Sequence, residues 1–205
     1  MKQRLLALRY LVSTLAVSMA FGLVCFAQQT SGQTSGGSKP AATAQAPAAE
    51  WPSDPVGMLV AEWTRAKNWT KEYLDKMPED GLTLKATPDV RTFAEQMLHL
   101  ASANYFYAQA GTGQKSPHAR DAFAADKFKT KADLSKMVLE SYDFMISGIK
   151  SLDAAKLGEK IQGRGGMLAR QVVIRNGFEH QTHHRGQTTI YLRMKGVTPP
   201  PEPFQ

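Results

Sequence analysis

The sequence predicts an all-α fold, a four-helix bundle, on three observations. Four segments carry apolar side chains three and four residues apart, caps and stops mark their ends, and no segment alternates apolar and polar residues between hairpin turns. Four such helices between residues 51 and 205 make one domain around one core.

The first helix is DPVGMLVAEWTRAKNWTKEYLDKM, where Met58, Leu59, Trp63, Trp69, Tyr73, Leu74 and Met77 build the apolar stripe and Pro78 ends it. The second is TPDVRTFAEQMLHLASANYFYAQAG. Thr87 suits the N-cap, Pro88 the first helical position, Asp89 the first turn and Gly111 the stop. Residues 111–129, with Pro117 and several charges, read as a connection. Thr130 caps the third helix, along which Leu134, Met137, Val138, Tyr142, Met145 and Ile149 line one face. After a glycine-rich break the fourth runs from GRGGMLARQVV through HQTHHRGQTTIYLRM and stops before Gly196 and TPPPEPFQ.

The chain begins differently. Lys2, Arg4 and Arg9 precede an uncharged stretch that ends in Cys-Phe-Ala, which predicts a secretory signal peptide over residues 1–27, cut after Ala27. The uncharged run from Tyr10 is at the short limit for a bilayer span, so a retained anchor is the rival reading. Its Ser, Thr and Gly residues favour cleavage, and bulky Val24 disfavours lipidation of Cys25. Residues 28–50, rich in Gly, Ser, Thr, Gln, Ala and Pro, cannot bury enough surface to fold and read as a disordered linker to the 51–205 domain. The expected location is periplasmic or extracellular, with membrane contact only if the signal segment is retained.

Cleavage would remove the sole cysteine, Cys25, and with it any disulfide, thiolate nucleophile or sulfur ligand. It would also lower the formal net charge from +7 to +4. The remaining Lys and Arg are scattered among Asp and Glu without a basic stripe, so nucleic acid is not an expected partner.

Chemistry then falls to histidines, carboxylates, hydroxyls or amides, and three of the five histidines stand together at His180, His183 and His184. On a helix His180 and His184 share a face, their β-carbons about 5–6 Å apart, a spacing at which two imidazoles grip one metal ion. His183 points about 100° away from His184 and is not expected to join them. A third ligand is sought on another helix, where His99 lies among Phe93, Met97, Leu98 and Leu100. Alone, His99 would read as a hydrogen-bonded core residue, and HQTHHR as an exposed polar helix end. His118, in SPHARD, is expected in solvent. The segment is not the metalloprotease motif, which needs Glu where Gln181 stands.

TPDVRTFAEQMLHL and HQTHHRGQTTIYLRMKGVTPPP together resemble the DinB/YfiT-like superfamily of metal-dependent four-helix bundles, over Pro55 to Pro201. The resemblance implies a three-histidine site made of His99, His180 and His184. Imidazole ligands suit several divalent transition metals, and the resemblance suggests zinc or nickel. It further implies a metal-dependent enzyme acting on a small molecule, either a hydrolase or a thiol-dependent transferase, with non-catalytic metal or ligand binding in the envelope as the alternative. A homodimer is also expected by analogy. Glu95, one turn before His99, and Gln187, beside the His184 face, are candidates for orienting ligands, against the ordinary reading of a solvated helix face. Arg185 could bind an anion or pair within the bundle, and Tyr191 could line a cavity or belong to the core.

Overall fold

The computed structural model describes residues 50–201; the expected signal peptide and residues 28–49 of the linker lie outside the described residues. Helices α1 (Pro55–Lys76), α2 (Phe93–Thr112), α3 (Lys131–Lys150) and α4 (Arg170–Met194) form the bundle. A small antiparallel hairpin, β1 (Lys160–Gly163) with β2 (Gly166–Ala169), stands between α3 and α4. None of these helices is long and apolar enough to cross a membrane.

Each helix of the bundle packs on two others, in the cyclic order α1, α3, α2, α4. Cross-helix contacts give their directions. Gln96 meets His184 and Gly111 meets Ile174, so α2 and α4 run antiparallel. Asn104 donates to Ser141 and Thr112 packs on Gly148, so α2 and α3 run parallel. Parallel neighbours cannot be joined by a tight turn, which is why the α2–α3 connection, residues 113–130, is long.

The core follows the apolar stripes. Trp63, Phe93, Met97, Leu134, Tyr142, Met145 and Ile174 are fully buried, and Trp63 meets Tyr142 and Phe178 edge to face at 5.9 and 5.7 Å. Such ring pairs contribute about 0.5–1.5 kcal/mol beyond the area they bury. At the polar centre Tyr142 donates to Gln181 Oε1 at 2.9 Å and lies 2.8 Å from Thr70 Oγ1, joining three helices.

The start of α2 differs from the expectation. Thr87-Pro88-Asp89-Val90 is a turn, closed by Val90 N–H donating to Thr87 O, with proline at the position such turns favour. The helix starts at Phe93 under a capping box: Thr92 Oγ1 accepts from Glu95 N, and Glu95 Oε2 accepts from Thr92 N. Pro and Asp suit both a turn and a first helical turn, and the reciprocal Thr92–Glu95 pair decides between them. The expected stop at Gly111 also shifts, because the left-handed residue is Gly113, at φ +82°. Gly111 stays helical and presses on α4.

GRGG is not the first turn of α4. Its residues fold the hairpin, with Arg164 and Gly165 as the loop and Gly166 at φ +126°. Arg170 clamps the base: it donates to Glu159 Oε2 at 2.6 Å and to Gly111 O at 2.8 Å.

Candidate metal centre

The antiparallel α2–α4 contact brings the histidines together. A β-carbon on Gly111 would lie 2.7 Å from Ile174 Cγ1, and one on Gly177 would lie 2.8 Å from Tyr107 Cβ, so both glycines let the backbones approach. A turn or two further along, His99 faces His180 and His184. The ring centroids are 5.1 Å apart for His99–His180, 4.5 Å for His99–His184 and 4.3 Å for His180–His184. One ligand nitrogen from each ring lies within 4.8 Å of the others, so the three could hold a metal ion.

Their electrostatics suit that role. Burial pushes the His180 and His184 pKa values down to about 4, helped by the neighbouring imidazoles, and burial followed by Arg91 lowers that of His99. All three are therefore neutral at pH 7, the form that ligates. His184 Nδ1 lies 2.9 Å from Gln187 Oε1. A proton on Nδ1 donated to that oxygen would leave the Nε2 lone pair for a metal, whereas the Gln96 amide nitrogen, 2.7 Å from the same Nδ1, favours the opposite tautomer. Nδ1 of His180 is buried with no hydrogen-bond partner among the described residues, an unsatisfied atom of the kind that marks a ligand position. The donor set thus fits a divalent transition metal.

Gln187 also contacts His183 Nε2, at 3.0 Å, through its amide nitrogen. His183 is exposed, as expected, and outside the cluster. Glu95 has its carboxylate engaged in the α2 cap. Gln96, which sequence reasoning passed over, is buried with Nε2 2.7 Å from His184 Nδ1, and it also contacts Gln187 Oε1. Its signal was spacing: Gln96 precedes His99 by three residues and so shares its face.

Three other residues differ from, or resolve, the sequence reading. His118 is not a solvent residue: it is half-buried, edge-on to Tyr105 at 4.9 Å and to Phe123 at 5.9 Å. Arg185 is buried, stacks over Trp69 at 4.1 Å and donates to Gln181 Oε1 at 2.7 Å, so it serves the bundle interior. Tyr191 is core, and its hydroxyl donates to Arg91 O at 2.6 Å.

Beside the histidines opens a cavity of about 720 Å³, lined by His99 and His180, by Arg91, Arg120 and Arg164, and by an aromatic group that includes Tyr105, Phe106 and Phe123. Burial raises the Tyr105 hydroxyl to about 12, so it stays protonated.

The sequence model of the DinB family matches residues 53–203. The chain is 21% identical to the Bacillus subtilis protein YjoA over 144 residues, which spans 68% of this chain and 90% of that one. Among solved structures, a DinB-like protein from Bacillus cereus superposes with a TM-score of 0.63 at 19% identity, covering 71% of this chain and 95% of the other. A conserved protein from Enterococcus faecalis gives 0.56 at 17% identity, covering 70% and 98%. At these identities the structural likeness speaks for the fold.

Proposed function

Since this chain belongs to the DinB family, we propose that it is an exported, metal-dependent enzyme acting on a small molecule, with His99, His180 and His184 holding a divalent ion. One observation carries the reading: three neutral imidazoles from two helices meet beside a cavity of about 720 Å³, and among the described residues no fourth His, Asp or Glu joins them. Structural zinc sites are closed by four protein ligands, whereas three ligands beside a cavity leave a position for substrate. An ion bound there would supply Lewis acidity, the chemistry shared by hydrolases and thiol-dependent transferases. Zinc and nickel both suit an all-imidazole set. Gln187 and Gln96 both contact His184 Nδ1 and would orient its ring, and Tyr105 in the cavity lining stays protonated.

A second reading, non-catalytic binding of metal or a small ligand in the envelope, is favoured by a separate observation. The carboxylate in the cavity lining, Glu95, is committed to the α2 cap and is not free as a general base.

The test is elemental analysis of the full chain, purified without a His-tag and incubated with zinc or nickel, beside single variants. About one equivalent per chain is expected, lost in His99→Ala, His180→Ala and His184→Ala and kept in His183→Ala. Stoichiometric metal in the triple variant would sink the assignment. Turnover in ester-hydrolysis or thiol-transfer screens that disappears in His184→Ala separates the enzyme from the binding protein.

A further inference from the structure

The charge around the histidines is unbalanced. Arg91, Arg120 and Arg164 line the cavity, and against them stands Glu95, whose Oε2 accepts from Thr92 N. None of the three guanidinium groups forms an ion pair within 4.0 Å among the described residues. A divalent ion held by uncharged imidazoles would add two more positive charges with no carboxylate ligand to offset them. An anion is the occupant such a lining favours, and the planar guanidinium fork matches a carboxylate with paired hydrogen bonds.

Two of these arginines are set in place by the backbone. Arg164 sits in the two-residue loop of the hairpin, whose base is clamped by Arg170 to Glu159 and to Gly111 O. Arg91 has its carbonyl held by the Tyr191 hydroxyl at 2.6 Å. In the same lining, Phe106 is 53% exposed although it is a large apolar ring, and Tyr105 and Phe123 pack at 5.7 Å. Apolar rings at a cavity wall are suited to flat, apolar ligand surface.

We propose that the cavity takes a small organic acid, a carboxylate on a flat apolar body, with Arg91 and Arg164 facing its charge and Tyr105, Phe106 and Phe123 its body. The inference rests on the metal reading for the end of the cavity at which the carboxylate lies.

Calorimetric titration of the zinc-incubated full chain tests it. Benzoate is the probe, benzamide supplies the same ring without charge, and inorganic phosphate supplies charge without the ring. Benzoate should bind more tightly than either. Arg91→Gln and Arg164→Gln should each weaken benzoate about tenfold, a typical loss for a charge-assisted contact, while zinc content stays unchanged. Both arginines are exposed, so neither change threatens the fold. Equal affinity for benzoate and benzamide, equal affinity for benzoate and phosphate, or wild-type benzoate binding in both variants would overturn the proposal. Zinc content measured on the same samples separates the two readings. A chain without zinc that still binds benzoate through its arginines refutes the metal and keeps the acid. A chain with zinc that ignores benzoate does the reverse.

Discussion

At the scale of single residues, Gln187 shows how one amide would condition a proposed metal ligand. Its Oε1 lies 2.9 Å from His184 Nδ1, so it can hold that ring with Nε2 free. Removing such a partner typically costs 10- to 100-fold in metal affinity. Gln187 is exposed. Gln187→Leu is therefore expected to weaken zinc binding by about tenfold in a chelator competition, with the melting temperature of the metal-free chain unchanged. A drop in that melting temperature as large as the loss of affinity would mean that the amide supports the fold and not the ligand. The pairing of His180 with His184 was legible from i, i+4 spacing, whereas His99 was joined to them by the family resemblance and not by periodicity. Gln96 and the cavity arginines were not legible. Their role depends on which helix lies opposite and on a loop's path, neither of which periodicity encodes.

At the scale of elements, the four helices could be read from stripes and caps, with errors where one signal serves two structures. Thr87-Pro88-Asp89 marks either a turn or a helix start, and GRGG either a break or a hairpin loop. The choice is made by bonds to residues distant in sequence or to the capping partner, such as Arg170 to Gly111 O. Gly111 and Gly177 were likewise hidden, since a glycine that admits a neighbouring helix looks like any other until that helix is known. Gly177→Ala tests the contact. Alanine gains about 1 kcal/mol in helix propensity, but a β-carbon 2.8 Å from Tyr107 Cβ must displace that side chain, at about 1–3 kcal/mol. The displacement should win, lowering the melting temperature by a few degrees and weakening zinc binding because His180 lies on the same helix. A melting temperature above wild type would show that α2 and α4 separate without strain.

At the scale of the whole molecule, metal and pH should act on the same equilibrium. Zinc at about 100 times its dissociation constant would add about 2.7 kcal/mol, raising the melting temperature of a chain this size by roughly 5–10 °C, a shift absent in His184→Ala. For the metal-free chain the sign follows from the depressed histidine pKa values. Above about pH 7.5 these groups are neutral folded and unfolded, and contribute no pH dependence. As pH falls from 6.5 towards 4, the unfolded chain takes protons that folded His180 and His184, at about 4, refuse, so stability declines across that window. Urea midpoints between pH 8 and 4 would show it; equal slopes in wild type and a His180→Gln, His184→Gln double variant would refute it. The proposed ligand set has a further consequence for how the molecule assembles. His99 and His184 are separated by most of the folded chain, so closing the loop between them carries a large entropy cost and waits on the docking of α4. A metal met by the unfolded chain finds the local histidines His180, His183 and His184 but not His99. Completion of the triad is therefore a late event in refolding, and the rate at which zinc becomes resistant to a chelator should report the final closure of the bundle.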